Sequence, residues 1–341
     1  MLARMNEYFI HQTQKLVGEL ASEAPDWDHA LYFFFSDAAG EVGVFCGFEV
    51  FPNRPLQRAT LFLRHGTEHY RGAAVQRWED EPGPVLQAEG FRFACVEPMK
   101  HWRLDLRDAA NDITIGVDFT ARCPAYAFKH TLLPGQYAKA IDQRHYTQSG
   151  HLHGSLRVGG REYHDFVGMK NRSWGVRNWH HLPMYHWTTA QFADFSINTW
   201  LFEDQDGNPL YVDGALTTER GEVTPVVKVA HELELHPGSA KRVKARHVQL
   251  TMANGEVLQL EGEEIGSIPM AMMPNYWSET DPQAMAQADT TALWFEQHTR
   301  FTLGTQRGIG FVENCVAPGC AKHGIPPTPF PYLDPASAGR E

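Results

Sequence analysis

What most constrains this chain is its punctuation. Short runs of alternating apolar and polar residues are broken at roughly 8–12-residue intervals by glycine, proline or asparagine turns, the rhythm of antiparallel sheets closed into barrels or sandwiches. Glu41–Phe51 (EVGVFCGFEVF) is the clearest run: Val42, Val44, Cys46, Phe48 and Val50 fall on one side, and Gly43, Phe45, Gly47, Glu49 and Phe51 on the other. Glycines inside such a run mark curvature or close backbone approach. Ala30–Ser36, Leu56–Arg64, Glu68–Gln76, Val85–Ala88, Phe91–Val96, His101–Leu106 and Ile113–Thr120 follow the same logic. So do His151–Val158, Glu162–Gly168, His186–Phe192, Ser196–Glu203, Leu210–Leu216, Val226–Leu235, Ala245–Met252, Val257–Ile265 and Thr299–Glu313. Gly159-Gly160, Asp206-Gly207-Asn208 and Asn254-Gly255 sit where hairpin turns belong. An all-β protein is expected, with two tandem β domains.

The chain divides into a short amphipathic helix within residues 1–24, a first β domain at 25–136, a larger second one at 137–325, and a Pro-rich tail at 326–341. The boundary is read at Leu132-Leu-Pro-Gly-Gln136; a second helix is expected near Asp281–Asp289. A net charge of -11 argues against nucleic acid as the partner, since phosphate binding needs clustered Lys and Arg. No apolar run is long enough for a spanning helix. Five scattered cysteines do not make a disulfide framework, and Met1–Gly18 lacks the apolar stretch of a secretory signal, so a cytoplasmic location is expected.

Two regions invite chemistry. His145, His151, His153, His164, His180, His181 and His186 lie within 42 residues, where an even spread of 18 histidines would place about two. A metal-dependent barrel enzyme is the sharp reading. The acidic residue expected a few positions after His151-x-His153 is missing, however, and neither H-E-x-x-H nor C-x-x-C occurs. The expectation is therefore no metal and no other cofactor. Nucleophile elbows and phosphate loops are also missing: Gly304–Gly310 falls in a predicted strand. The richer segment is Gly168–Trp179 with His180–Trp187. It holds Trp174, Trp179, Trp187, three histidines, Lys170, Arg172, Arg177 and Tyr185, a mixture suited to an apolar pocket with a few placed polar groups. The alternative is that Trp174 and Trp179 plug a barrel, with Arg177 stacked on one of them.

Arg172-Ser173-Trp174-Gly175-Val176-Arg177-Asn178-Trp179 resembles the R-D-H-S-W-G-x-R-D-W signature of the carotenoid hydratase / AttH-like two-domain lipocalin-like family. Trp27–Phe35, Gly47–Asn53, Val96–Arg103 and Arg144–Gln148 resemble that family in the same order. The resemblance implies two tandem lipocalin-like antiparallel barrels around an apolar cavity. It also implies cofactor-independent acid/base chemistry on an alkene or alcohol of terpenoid or steroid type, as a hydratase, dehydratase, isomerase or cyclase. A buried carboxylic acid keeps its proton and can donate it to a carbon that becomes cationic, which aromatic faces then stabilise. The chain departs from the signature at the decisive place, because Asn171 stands where the family has its acid and Arg172 where it has a histidine.

Another donor is then needed. Asp165 is the leading carboxylate, with Asp194 and Asp213 behind it; His180, His181 and Tyr185 complete the proton-handling set. Asn171, Trp174, Arg177, Trp179, His186 and Trp187 are expected to line the substrate. The alternative is a non-catalytic binder or carrier of an apolar small molecule, which Asn171 favours.

Overall fold

Alternation in the sequence becomes two antiparallel β structures in a computed structural model of the chain. It describes residues 2–10, 22–78, 83–178, 184–237, 239, 242–270, 273–292 and 294–315. A 3-10 turn at Arg4–Glu7 precedes β1 (Trp27–Ser36), β2 (Val42–Phe51), β3 (Leu56–His65) and β4 (Glu68–Arg77). Next come β5 (Val85–Ala88), β6 (Phe91–Glu97), β7 (His101–Asp108) and β8 (Ile113–Ala121), then short β9 (Tyr126–Ala127) and β10 (Thr131–Leu132). Two long strands, β11 (Ile141–Val158) and β12 (Arg161–Arg177), turn at Gly159-Gly160, both glycines in the left-handed region. The second half holds β13 (Met184–Gln191), β14 (Phe195–Glu203), β15 (Pro209–Thr218), β16 (Val223–Leu235), β17 (Val243–Met252) and β18 (Val257–Pro269). It ends with β19 (Tyr276–Ser278), helix α1 (Pro282–Thr291), β20 (Phe295–Leu303) and β21 (Gln306–Cys315).

The first sheet runs β19-β4-β3-β2-β1-β12-β11-β8-β7-β6-β5, with β9 and β10 attached to β11. It curls almost shut: Gln57 Nε2 and Gln76 Nε2 each donate to Gln87 O at 3.1 Å, drawing β5 towards β3 and β4. The second closes fully as an eight-stranded barrel in the order β13-β14-β15-β16-β17-β18-β20-β21. The fold is all-β and compatible with tandem lipocalin-like barrels. The Leu132–Gln136 turn lies inside the run that builds the first sheet, and the change of sheet comes between Arg177 and Met184. The expected first helix falls largely outside the described residues; of those described, Arg4–Glu7 form a 3-10 turn. One strand expectation needs correction. Thr299–Glu313 is not one strand but a hairpin turning at Gly304, whose φ of 58° suits a turn.

Strand parity divides the first sheet into two faces. Phe33, Phe48, Phe93 and Phe119 fill the curled interior. The N-terminal segment closes it: Phe9 stacks on His29 at 5.1 Å, and the wholly buried Glu7 receives Trp102 Nε1 at 2.6 Å and pairs with Lys170 Nζ. The opposite face meets the outside of the barrel. Here Phe34 and Phe45 from the sheet pack with Trp187 and Phe311 from the barrel, forming an apolar seam between the two halves.

Candidate active site

The seam is apolar at its centre but holds buried charge. On β2, Gly43 lets the two halves close, since a Cβ there would lie 2.7 Å from His298 Nδ1, and Gly47 makes room for the Tyr32 ring of neighbouring β1, 2.1 Å from where its Cβ would be. These are two of the glycines whose alternation marks the strand. His298 crosses the seam from β20 to Ser36 Oγ at 2.8 Å and Arg64 at 3.2 Å, with burial holding it well below the usual imidazole range. From the sheet side, Tyr32 donates to Glu49, Arg58 Nε donates to Glu49 at 2.6 Å, and Arg177 pairs with Asp28 at 2.8 Å. Burial pushes the Asp28 carboxyl up; Arg177 opposes it.

The barrel contributes two carboxyls. Glu296 on β20 and Glu313 on β21 are direct cross-strand partners and hydrogen-bond to each other. Tyr185 donates to Glu313, and Trp294 Nε1 donates to Glu296 at 3.0 Å. Burial drives both carboxyls up, Glu296 furthest, because the Glu313 charge adds to its desolvation. Two acids in contact inside an apolar seam oppose each other's ionisation, which favours one shared proton.

On the sheet side of the same seam lies His145 on β11. It stacks on Phe128 at 4.0 Å and meets Trp200 edge-on at 4.5 Å and Trp187 at 6.2 Å. Burial, aided by the Arg177 charge, lowers His145 to about 3, so its imidazole is neutral at pH 7. Its Nδ1 has no protein partner among the described residues, and the same holds for Thr147 Oγ1, Asn171 Oδ1, Ser173 Oγ, Trp187 Nε1 and Trp200 Nε1. Buried polar atoms left in this state cost about 1–3 kcal/mol each unless something satisfies them. On β11 and β12 they stand in register, His145 beside Ser173 and Thr147 beside Asn171. A ligand with polar groups on an apolar frame would satisfy such an array.

The residues singled out from sequence are only partly gathered here. Tyr185, Trp187, Asn171 and Arg177 belong to the seam. Trp174 does not: β12 parity places it with Lys170 and Arg172 on the side of the first core, with the Arg172 guanidinium 5.8 Å from its ring and 4.0 Å from that of Phe9. Arg177 holds Asp28; its expected stacking on Trp179 lies outside the described residues. Asp165 is 82% exposed and hydrogen-bonds His153 at 2.9 Å, so it lacks the burial that would keep a carboxyl protonated. Asp213 is buried but accepts from Tyr126 Oη at 2.7 Å and Lys129 N at 2.6 Å, and Asp194 is exposed. His186 points into the barrel interior. Trp179, His180 and His181 lie outside the described residues. The histidine run disperses: His151 is half-buried and His153 and His164 are exposed, away from His145 and His186.

Glu296, Glu313, His145 and Trp200 were missed as a working set. One signal was available: Glu313 shares strand parity with Phe311 and Cys315, placing a carboxylate on an apolar face. An open groove of about 1100 Å³ lies elsewhere, lined by Phe192, Phe301 and Ile309 together with Glu234, Lys244 and Arg300. It lacks the seam's buried carboxyl pair, and the seam is the better candidate for acid/base chemistry.

A family model described as a domain of unknown function, DUF7064, matches residues 15–314. The chain belongs to that family. No curated protein matches it significantly. Among solved structures, this DUF7064 chain is similar to a putative AttH from Nitrosomonas europaea, with TM-score 0.58, 16% identity, and coverage of 85% of this chain and 92% of that one. It is also similar to kievitone hydratase from Nectria haematococca, with TM-score 0.58, 11% identity and 93% of each chain covered. CghA, solved with Sch210972, gives TM-score 0.54 and 11% identity over 86% of this chain and 89% of that one. At these identities the likeness concerns the fold. Among the described residues no helix is long and apolar enough to cross a membrane.

Proposed function

We propose that the protein is an acid/base enzyme that moves a proton to or from a hydrophobic alkene or alcohol at the seam between its two halves. The observation that carries this reading is the Glu296–Glu313 pair, two buried carboxyls in hydrogen-bond contact in the same seam as the neutral His145 imidazole. Environments that push titratable groups apart let one site hold an acid and a base together at pH 7. In hydration, the Glu296–Glu313 pair gives its proton to an alkene carbon, and the Trp187 and Trp200 faces stabilise the cation by roughly 0.5–2 kcal/mol each. Water adds to the cation and passes its extra proton to His145, which returns it to the carboxylate pair through solvent. Dehydration is the same path reversed, and isomerisation or cyclisation ends with loss of a carbon-bound proton instead of water addition. A terpenoid- or steroid-like frame fits the aromatic lining, with Asn171, Ser173 and Thr147 as partners for its polar groups. The names of the similar solved structures, a hydratase among them, agree with this class of chemistry.

Glu296→Gln and Glu313→Gln each remove the donor while keeping shape. Turnover, read as gain or loss of one water on the apolar compound that copurifies, should fall by about 10²–10⁴-fold with the fold retained. Full activity in both variants sinks the assignment. One observation favours a second reading, a carrier without chemistry: Asn171 stands where the resembled hydratase signature has its acid, its Oδ1 without a protein partner among the described residues. Recovery of the bound compound chemically unchanged after long incubation would support the carrier.

A further inference from the structure

On β13, Tyr185 and Trp187 face the seam, so His186 between them faces the barrel interior. There it meets Glu203 from β14 and His231 from β16. His231 Nε2 and Glu203 Oε2 are 2.7 Å apart, and the two imidazole rings are 4.8 Å apart at 63°. One ligand-capable atom from each of the three side chains lies within 4.8 Å of the other two. All three are buried, on three strands brought together only by barrel closure. A void of about 20 Å³ adjoins both imidazoles, bordered by Thr188 and Thr199, which is room for one water or one ion.

We propose that His186, Glu203 and His231 bind a single divalent transition-metal ion of the zinc class, with water in the fourth position. Two imidazoles and one carboxylate that leave one position open make a donor set characteristic of zinc. Arg246 also borders the void and opposes a cation; its guanidinium is held by Gln297 at 2.5 Å, and Glu264 answers its charge. The ion ties β13, β14 and β16 together at one end of the barrel. Because Tyr185 is the neighbour of His186, the ion also fixes the strand that presents the Tyr185 hydroxyl to Glu313. This is a positioning role, independent of whether the seam performs the proposed reaction, and it replaces the sequence expectation of no metal.

The test uses the full chain without a histidine tag, stripped by chelator dialysis. Titration with ZnCl2 by calorimetry should show one saturable equivalent per chain and a raised thermal midpoint. CoCl2 should give visible bands of a four- or five-coordinate nitrogen/oxygen site without thiolate charge transfer, and paramagnetically shifted imidazole N–H resonances from two histidines. His231→Gln and Glu203→Gln should weaken uptake by more than the roughly 10–100-fold that even an outer-shell change costs. Should a variant fail to fold, the cobalt resonances of the unaltered protein decide alone. No saturable uptake, resonances from fewer than two histidines, or binding unchanged in folded variants overturns the site.

Discussion

Burial displaces Glu296 upward and His145 downward, and each makes folding depend on pH with its own sign. His145 titrates near 3 when folded against about 6.5 when unfolded, so below pH 6.5 the unfolded chain takes up a proton that the native chain refuses. Stability from this group is complete above pH 6.5 and is lost as pH falls, by up to about 1.4 kcal/mol per pH unit. Glu296 runs the other way: its folded value is raised, so its contribution is present in acid and is lost as pH rises above the unfolded carboxyl value of 4.5. Between pH 7 and pH 5 the two contributions oppose each other, so a variant is needed to isolate the imidazole. Urea unfolding at those two pH values should show the native sequence losing stability relative to His145→Gln as pH falls; identical changes in both would contradict burial as the cause. From sequence, His145 was one of seven clustered histidines with nothing to separate it from exposed His151 or His153. What separates it is Phe128 on one side and Trp200 on the other, contacts made by β11 with distant parts of the chain.

Strands were the most legible level. The parity of Glu41–Phe51 predicts β2 to within a residue, and its two seam glycines do what such glycines imply. Legibility failed where one run hides two elements. Thr299–Glu313 reads as continuous because Gly304 resembles a strand glycine, yet it is the hairpin corner that sets Glu296 against Glu313. It also failed at β12, where the Trp-rich motif reads as one pocket lining but alternates between two faces. Lys170 and Arg172 serve the first core through the N-terminal segment, to which strand periodicity gives no clue. Glu7→Gln leaves Lys170 buried without its counter-charge and should cost about 3–5 kcal/mol in chemical denaturation. A loss below about 1 kcal/mol would mean that the segment is not integral to the first core.

At the scale of the molecule, the curled sheet and the barrel are cross-linked along the seam. Arg122 reaches Gln191 Oε1 at 3.1 Å, Ala193 O at 3.2 Å and Phe195 O at 2.9 Å; Ser149 Oγ bonds Ser196 Oγ at 2.7 Å, and Asp213 holds Tyr126 and Lys129. β19 leaves the barrel half to pair with β4 in the first sheet. The two halves should therefore unfold together, and calorimetry should give a single transition coincident with tryptophan fluorescence; two separated transitions would show that the seam is a loose contact. Two β units were foreseeable from the number of strands, but not their membership, because β11 and β12 join strands far earlier in the chain. The central claim is that this seam keeps a carboxylic acid protonated in neutral solution. Infrared difference spectroscopy at pH 7 tests it directly: a protonated-carboxyl carbonyl band should be present in the native protein and absent from the Glu296→Gln/Glu313→Gln double variant. If both carboxyls prove ionised at that pH, the account is contradicted.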